Sequence, residues 1–414
     1  MQQKQVNMEV LYISYDGMTD PLGQSQVIPY LIGLSAKGYR VTIISCEKKE
    51  RFSKQKEAIG LLLKSSKISW LPVLYSSLPS VFSKQINLRR IKQKAISFCK
   101  KNKPGIVHCR SYMSALIGLY LKKRFHTKFI FDMRGFWADE RIDGQIWSLK
   151  NPLQKRLYNY FKKKELDFLR NADYTISLTE NAKNEILGWK QLKGSLLPIQ
   201  IIPCCVDLEL FSADHLNMEQ QASLKAKLKI TETDFVVSYL GSIGTWYMLD
   251  EMLDFFNRLL LKKKNAKFLF ITPDKESDIF EKVKTKDIPD EKIIIHSAKR
   301  NEVPLYLSLS QLSLYFIKPL YSKKASSPTK TAEIMALGIP IITNSGIGDS
   351  DKILRDSGAG MFVNDFSSRE YDQIIDQIDV LLQTDKHKIT EASKTYFSLE
   401  KGVELYHSVY KKLE

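Results

Sequence analysis

Hydrophobic positions in the first half of the chain form short, β-branched runs, separated by longer stretches in which apolar residues recur every three or four positions. Runs that are apolar throughout are typical of strands buried on both faces of a parallel sheet, and the intervening period is that of amphipathic helices. This alternation predicts a doubly wound α/β domain. The predicted strands are Val10–Ser14, Val41–Ser45, Ile106–His108, Phe129–Asp132, Tyr174–Leu178 and Ile201–Pro203, and the clearest predicted helices are Gln24–Lys37, Ile86–Lys101 and Ser111–Arg124.

A second series of the same kind follows Phe211. We therefore expect two facing Rossmann-like domains: an N-terminal domain at residues 1–206, a C-terminal domain at 207–395, and a last helix at 396–414 that packs back across them. In such folds a ligand binds at the carboxyl ends of the strands, so we expect the site in the cleft between the domains. The predicted strands of the second series are Phe235–Leu240, Ala266–Ile271, Lys292–His296, Leu312–Ile317 and Ile339–Thr343, with a helix at Met248–Leu261.

Charge is distributed unevenly between the two halves. Residues 1–200 contain 35 lysines and arginines against 15 aspartates and glutamates, a net +20, whereas the remainder has 28 against 31, a net −3. The first half is therefore expected to face an anionic partner, either lipid headgroups, a phosphorylated substrate or nucleic acid. No apolar run approaches the ~20 residues that span a bilayer, and the N-terminus lacks a signal-peptide pattern. We expect a cytoplasmic protein.

The stretch Trp70–Lys103 contains no acidic residue, and its apolar side chains precede its cations. That order suits partial insertion of a loop into an anionic membrane surface while lysines and arginines meet the headgroups. Phe161–Arg170 adds a second cationic helix, which predicts peripheral association with the inner face of the cell membrane. A solvated helix face beside ordinary core explains the same pattern, and no nucleic-acid module accompanies it. The apolar candidates for insertion are Trp70, Leu74, Tyr75, Leu78 and Phe82.

The strongest local signal is SPTKTAEIMALGIPIITN, residues 327–344. Ser326 or Ser327 is predicted to cap a helix that begins near Pro328, and Gly338 is predicted to end it. The free N–H groups and the positive dipole end of such a helix form an anion site.

Lys330 and Glu333 lie three residues apart, on one face near the start of that helix. Lys330 would add a positive charge for a diphosphate. Glu333 would accept hydrogen bonds from sugar hydroxyls, as acidic groups do on nucleotide ribose. An exposed first turn with a solvated Lys330 accounts for the pattern equally well.

Further candidates lie in the first half of the chain. Gly23 would let the first loop approach a phosphate or sugar closely, or it belongs to an ordinary turn. Asp132 and Arg134 follow a buried strand, where ionic groups are costly unless paired or functional. They either contact substrate or form a structural pair, and His108 is either a structural or a catalytic histidine.

Several stretches of the sequence resemble those of one known enzyme family. Residues 327–344 resemble the nucleotide-binding stretch of the family 4 glycosyltransferases, which have the GT-B fold. The opening residues 10–45 resemble that family's first strand, Gly-bearing loop, helix and second strand. IIPCCVDLELF resembles its interdomain segment, and YLGSIG, with Gly241 and Gly244, resembles the loop after the first strand of its second domain. The tail SLEKGVELYHSVYKKL is similar to its last helix.

The resemblance implies a retaining hexosyltransferase that uses a UDP- or GDP-linked sugar, needs no cofactor or metal, and acts on a glycan or polyprenyl-linked acceptor in surface polysaccharide assembly. A departing phosphate oxygen would take the acceptor proton, so no enzymic nucleophile is required. We predict catalytic roles for Asp132, Arg134 and Glu333. The substrate-binding residues that we predict are Gly23, Gly241, Gly244, Arg300, Lys318, Lys324, Ser327, Lys330 and Glu333.

Some positions depart from the family pattern. Ala325 stands where the family often has a second glutamate, and Trp246 and Tyr247 occupy the neighbourhood of its usual Arg/Lys pair. Phosphate charge must then be neutralised from elsewhere, and the candidates are Lys330 with Lys318, Lys324 or Arg300. Asp349 and Asp351 match a metal motif that is too short to be specific, and GSIG lacks the dinucleotide fingerprint. A nucleotide-sugar epimerase and a non-catalytic membrane- or nucleic-acid-binding protein of the same fold are the alternatives.

Overall fold

The buried apolar runs form the strands of two separate parallel sheets. The computed structural model of the chain describes residues 8–76 and 80–414. Internal contacts divide these residues into two compact units. Unit 1 comprises the chain up to Pro203 together with Leu399–Glu414, and unit 2 is Cys204–Ser398.

Unit 1 is built on a sheet with the strand order β3-β2-β1-β4-β5-β6-β7, in which every pairing between these described strands is parallel. The first strand of the chain, β1, is an inner strand that pairs through Val10 with Val41 on one side and Ile106 on the other. All three side chains are buried, as expected for strands covered on both faces. The strands are β1 Glu9–Ser14, β2 Arg40–Glu47, β3 Ser69–Leu74, β4 Ile106–Arg110, β5 Lys128–Asp132, β6 Tyr174–Ser177 and β7 Ile199–Ile201.

Helices cover this sheet, and the C-terminal helix joins them. A Cβ on Gly33 in α2 would lie 2.5 Å from Cγ2 of Val403 in α18, so the glycine permits the close packing of these two helices. The helices of unit 1 are α1 Pro21–Gln26, α2 Ile28–Ala36, α3 Lys49–Ser65, α4 Ser80–Asn102, α5 Ser111–Phe125, α6 Trp137–Asp143, α7 Pro152–Asn171, α8 Glu180–Leu187 and, at the C-terminus, α18 Leu399–Lys411, with a 3₁₀ turn at Lys190–Leu192.

Unit 2 repeats the architecture with the strand order β10-β9-β8-β11-β12-β13, again parallel throughout the described strands. Its first strand, Phe235–Leu240, is buried along its whole length. Such a strand carries no polar face, and it lies between two neighbours in the middle of the sheet. The strands are β8 Phe235–Leu240, β9 Ala266–Ile271, β10 Ile293–His296, β11 Leu312–Leu314, β12 Ile341–Asn344 and β13 Gly360–Val363.

The helix within the stretch at residues 327–344, α13, packs against α17, and Ser393 Oγ of α17 donates a hydrogen bond of 3.0 Å to the carbonyl of Ala332. Gly338 follows α13 with φ +68°, which confirms it as the glycine that ends the helix. The helices of unit 2 are α9 Met218–Lys227, α10 Leu249–Lys262, α11 Glu276–Lys284, α12 Val303–Leu307, α13 Thr329–Ala336, α14 Ser350–Ser357, α15 Ser368–Asp376, α16 Ile378–Leu382 and α17 Lys386–Phe397, with 3₁₀ turns at Ala213–His215, Asp290–Lys292 and Tyr321–Ala325.

The prediction of a membrane-inserting loop is wrong for its first residues, which form a strand. Ser69–Leu74 is the edge strand β3, and Trp70 is tied into the unit because its Nε1 donates to Ser45 Oγ at 2.8 Å. Pro72 suits such an edge, because a proline has no N–H to donate to a neighbouring strand. Leu78 lies outside the described residues, as does the side chain of Phe82.

Two helix and strand predictions also need correction. The helix predicted over residues 24–37 is interrupted at Val27, because Pro29 has no N–H to continue the hydrogen bonding of α1. The strand predicted to reach Ile317 ends at Leu314, and β13 was not predicted. Among the described residues, no helix has both the length and the apolarity to cross a membrane.

Candidate active site

The conformation of the loop after β8 depends on a glycine with a positive φ angle and on hydrogen bonds to an aspartate. Gly241 adopts φ +103°, and its N–H donates to the carbonyl of Ile271 at 2.9 Å. The carboxylate of Asp274, which follows β9, accepts hydrogen bonds from Ser242 Oγ and from the N–H of Ile243. Asp274 thus fixes the loop at the carboxyl end of β8. Gly244 lies at its exposed tip, where a Cβ would meet no atom closer than 3.9 Å.

Lys330 enters this region from α13 and is only 7% exposed. Its Nζ lies 3.6 Å from the ring centre of Tyr247, 4.2 Å from that of Tyr239 and 5.5 Å from that of Tyr315. Within the described chain, the ammonium has no hydrogen-bond partner. Burial lowers the pKa of Lys330 well below its usual range, although the nearby Glu333 carboxylate opposes that shift.

An ammonium in these surroundings is suited to receiving an anion. Aromatic faces attract the cation but supply no hydrogen-bond acceptor, so the three N–H donors of Lys330 are unsatisfied. A Cβ on Gly241 would lie 3.4 Å from Nζ, so the glycine leaves space directly beside the charge. A phosphate oxygen in that space would provide both the missing acceptor and the counter-charge.

The start of α13 differs from the predicted capping. Pro328 occupies the N-cap position and has no side chain that can cap the helix. Ser327 Oγ instead accepts a hydrogen bond of 3.1 Å from the N–H of Cys204, so the prediction that Ser326 or Ser327 caps the helix is wrong. The hydroxyl of Ser327 serves the segment at the beginning of unit 2 rather than the helix.

Glu333 and Arg300 are brought together as an ion pair, with Arg300 Nη1 donating to Glu333 Oε1. Glu333 is 4% exposed, and the guanidinium of Arg300 also lies 4.6 Å from the ring centre of Phe211. The sequence assigned these two residues separately, one to sugar hydroxyls and the other to phosphate. In the structure, one carboxylate oxygen of Glu333 accepts a hydrogen bond from Arg300, and Glu333 lies about one helical turn from Lys330.

The remaining predicted cations lie on the surface. Lys318 and Lys324 are exposed, and Lys324 Nζ lies 5.2 Å from the ring centre of Tyr321. The neighbouring Lys323, which the sequence did not single out, is 5% exposed, with Nζ 3.7 Å from the ring centre of Trp246. Which of two adjacent lysines turns inward depends on the 3₁₀ turn that carries them.

Aromatic residues therefore occupy the neighbourhood where the resemblance implies an Arg/Lys pair, and each of them contacts a lysine. Trp246 contacts Lys323, and Tyr247 contacts Lys330. An isolated bridge between Tyr247 and Ile317 holds this pair of aromatic residues against the end of the β11 segment. Both cations come from sequence positions far from the loop, so no local motif could have revealed the arrangement.

In unit 1, Asp132 lies at the end of β5 and is fully buried. Its Oδ2 accepts a hydrogen bond of 3.2 Å from the hydroxyl of Tyr406 and lies 3.5 Å from Nε2 of His108. Its Oδ1 lies 3.8 Å from Nη1 of Arg134. Burial acts to raise the pKa of Asp132, but Arg134, His108 and Arg110 outweigh it, and the pKa is lowered. The carboxylate is therefore charged, and it orients its partners.

His108 is buried among aromatic rings. Its Nδ1 shares a hydrogen bond of 2.8 Å with the hydroxyl of Tyr410, and its ring meets that of Tyr12 edge-on at 4.7 Å. Burial lowers the pKa of His108 despite the opposing carboxylate of Asp132. These contacts give the residue a structural role at the end of β4.

Arg110, the last residue of β4, was missed by the sequence analysis. Its side chain is buried, its Nε lies 3.6 Å from Asp16, and within the described chain neither Nε nor Nη1 has a hydrogen-bond partner. The following residue, Ser111, has φ +64°, and Arg134 has φ +58°. Such backbone is strained for non-glycine residues and is often found at functional sites. Two arginines thus lie at the carboxyl ends of adjacent strands.

Gly23 lies inside α1 and not in the loop before it. A Cβ there would lie 2.2 Å from the carbonyl oxygen of Gly17, so close packing of the chain against itself already requires this glycine. The same loop is anchored by Glu47, whose carboxylate accepts hydrogen bonds from Thr19 and from the N–H of Met18 at 2.7 Å. A substrate contact for Gly23 stays a prediction. Within residues 8–76 and 80–414, no group of three or more His, Cys, Asp or Glu side chains is arranged to hold a metal ion.

Comparison with known proteins places the chain among sugar-transferring enzymes. Residues 27–210 match the model of Glycosyltransferase Family 4, and residues 220–395 match that of Glycosyl transferases group 1. No curated protein sequence matches at a significant level.

Solved structures resemble the whole chain. Sucrose-phosphate synthase from Thermosynechococcus elongatus superposes with a TM-score of 0.71 at 14% identity, covering 98% of this chain and 99% of the other. Anabaena HepE, solved in complex with UDP and glucose, gives 0.69 at 11% identity, with 98% and 100% covered. WaaG, a glycosyltransferase involved in lipopolysaccharide biosynthesis, gives 0.64 at 13% identity, with 95% and 98% covered. At these identities the likeness establishes the fold, which confirms the predicted GT-B architecture. Because the two family models together span nearly the whole chain, the protein belongs to the family 4 glycosyltransferases with the GT-B fold.

Proposed function

We propose that the protein transfers a hexosyl unit, with retention at the anomeric carbon, from a nucleotide-diphosphate sugar to a glycan or lipid-linked acceptor in surface polysaccharide assembly. Unit 2 binds the donor and unit 1 the acceptor. The single observation that carries the proposal is the buried ammonium of Lys330, which has unsatisfied N–H donors beside Gly241. The UDP-bound structures of HepE support a UDP-linked donor.

The donor site acts by stabilising the negative charge of the diphosphate. As the glycosidic bond breaks, negative charge grows on the diphosphate, and a cation already in place stabilises it without reorganisation. Lys330 provides that cation, and the rings of Tyr239 and Tyr247 lie beside it. Glu333, held by Arg300, accepts hydrogen bonds from donor hydroxyls with its second oxygen.

The acceptor side depends on orientation. Arg134 and Asp132, with Arg110 beside them, position the acceptor hydroxyl and balance charge at the carboxyl ends of β4 and β5. Holding both reactants in place supplies much of the rate enhancement in such a reaction. The cationic N-terminal half brings the enzyme to the cytoplasmic face of a membrane where a lipid-linked acceptor resides.

A thermal-shift screen of UDP, GDP, UDP-glucose and related sugar nucleotides tests the donor site. We expect at least one of them to raise the melting temperature of the wild type and to have no effect on Lys330→Ala. An unchanged shift in that variant would remove Lys330 from the diphosphate site. If no nucleotide shifts the wild type, a non-catalytic role is favoured.

A product assay tests the reaction itself. NMR of the product formed from the donor that binds should show a new glycosidic bond with the anomeric configuration of the donor. Inversion would contradict retention, and release of an epimerised sugar without acceptor would establish an epimerase instead.

A further inference from the structure

An exposed apolar stripe runs along the first half of α7. Leu153 is 78% exposed, and Leu157 and Tyr160 are also exposed, although all three are large apolar residues. Their spacing of four and three residues puts them on one face of the helix. Ile146 and Leu149, in the segment that leads into α7, are exposed as well. We call residues 146–163 the α7 surface.

The α7 surface is held in place by hydrogen bonds at the start of the helix and by packing against unit 1. Asn151 caps α7 by accepting hydrogen bonds from the N–H groups of Leu153 and Gln154, and the Gln154 side chain accepts one from the N–H of Ser148. One helical turn after Leu157, Phe161 is buried, with its ring 4.8 Å from that of Trp137. The buried residues of α7 lie from Phe161 onwards, whereas Leu153 and Leu157 in its first half face solvent.

Charge on the α7 surface has one sign. No aspartate or glutamate occurs between residues 144 and 164, and four cations in that range are exposed. Each cation near an anionic membrane contributes on the order of 1 kcal/mol, and an apolar stripe beside them is the pattern of a helix that lies in the membrane interface. The exposed cations are Lys150, Lys155, Arg156 and Lys163.

The second half of the same helix is less available than its sequence suggests. Lys162 is paired with Asp139 and Glu165, Lys164 with Asp167, and Arg170 donates to the carbonyl of Gln191. These cations are used within unit 1. The cations available to an anionic partner therefore lie mainly in the N-terminal half of α7, rather than at residues 161–170 as the sequence predicted.

We propose that the α7 surface docks on an anionic lipid bilayer, with Leu153, Leu157 and Tyr160 inserted at the level of the headgroups. A second copy of the chain is a poorer partner, because a two-fold contact would bring equal cations against each other. Nucleic acid would leave the leucines in water. The inference rests on the proposed function only for the expectation of a membrane-held acceptor.

Vesicle binding by the full-length protein tests this assignment. We expect it to bind vesicles made of equal amounts of phosphatidylglycerol and phosphatidylcholine. It should bind vesicles of pure phosphatidylcholine only weakly. Leu153→Ser with Leu157→Ser should lower the partition coefficient at least about tenfold, since each leucine loses its apolar transfer energy. Leu196→Ser, at a site that is 97% exposed outside the α7 surface, is the matched control and should bind as the wild type does.

A charge comparison makes the test sharper. Lys155→Gln with Arg156→Gln should weaken vesicle binding about tenfold, whereas Lys100→Gln with Lys101→Gln removes equal charge from the exposed end of α4 and should have a smaller effect. Equal effects of the two pairs of substitutions would mean that vesicle binding depends only on the net charge of the protein. That result would overturn the assignment to α7.

Insertion itself can be followed with a fluorophore. All five native cysteines are buried, so Leu149→Cys can be labelled selectively with an environment-sensitive dye. Its emission should shift to shorter wavelength on anionic vesicles, and that of Leu196→Cys should not. If no variant alters vesicle binding, or if the leucine variants abolish a dimer instead, the surface serves another purpose. The nucleotide thermal shift is independent of these variants, so failure of membrane docking is distinguishable from failure of the proposed transferase function.

Discussion

Arg300 and Glu333 form an ion pair in which the carboxylate is buried and the guanidinium is partly exposed. Arg300 approaches from the segment after β10 and Glu333 from α13, so the pair connects two separate parts of unit 2. Its position next to Lys330 makes it part of the proposed donor site, and the first prediction concerns the unequal burial of its two partners.

Removing Arg300 should cost more stability than removing the charge of Glu333. Arg300→Met leaves a buried carboxylate without its partner, and we expect the free energy of unfolding to fall by about 1–3 kcal/mol. Glu333→Gln leaves Arg300 partly solvated and should cost less, while it lowers kcat/KM for transfer. Chemical denaturation of both single variants and the double variant gives the coupling energy. A coupling of zero would mean that the pair is only a surface contact.

Replacing Lys330 with a neutral side chain of similar length should stabilise the free protein. Lys330→Met removes a buried ammonium with unsatisfied donors, and we expect a gain of about 1–3 kcal/mol, measurable as a higher melting temperature. The same variant should lose the thermal shift with UDP-glucose. Lys284→Met, at an exposed position of α11, should alter neither quantity. A destabilised Lys330→Met that still binds nucleotide would contradict the proposed site.

At any pH above the free-state pKa of Lys330, donor binding should take up a proton. The pKa of Lys330 is well below its usual range in the free protein because of burial, and a bound diphosphate would raise it again. Below the free-state pKa the amine is already charged, so affinity is constant there. Above it, affinity falls as pH rises, by up to about tenfold per pH unit for one proton. Calorimetry with UDP-glucose in buffers of different ionisation enthalpy measures the uptake, and Lys330→Met should abolish it.

Adding a methyl group at Gly241 should weaken donor binding. In Gly241→Ala the new Cβ lies 3.4 Å from Lys330 Nζ, in the space proposed for phosphate, and φ +103° strains any side chain. Gly194→Ala, in unit 1, imposes comparable strain at φ +80° with open space around it. We expect both variants to lose about 1 kcal/mol of stability, but only Gly241→Ala to lose nucleotide affinity, as read by titration calorimetry.

His108 should make unit 1 sensitive to acid. Its pKa is lowered from 6.5 by burial, so the unfolded chain takes up a proton on acidification before the folded chain does. The stability contribution is complete above about pH 6.5 and is lost as pH falls towards the folded-state pKa. His108→Gln should flatten the dependence of unfolding free energy on pH in that range, whereas His126→Asn, at an exposed helix end, should leave it unchanged.

Much of the fold follows from the chain itself. Runs such as Phe235–Leu240 and Ala266–Ile271 are apolar at every position or nearly so, and their strands begin and end where that pattern does. Burial on both faces imposes this composition locally, so it can be recognised without neighbours. The order of strands and helices then leaves few topologies, and the predicted GT-B architecture is the one observed.

What the sequence by itself determined was which residue types are present: a lysine and a glutamate on one helix face, a glycine after β8, and cations concentrated in the first half. Only the tertiary structure decided their surroundings. It placed Lys330 among Tyr239 and Tyr247, paired Glu333 with Arg300, buried Lys323 in place of Lys324, and left Leu153 exposed on α7. The physical reason is that secondary structure depends on local periodicity, whereas burial and charge pairing depend on segments far apart along the chain, which only folding brings together.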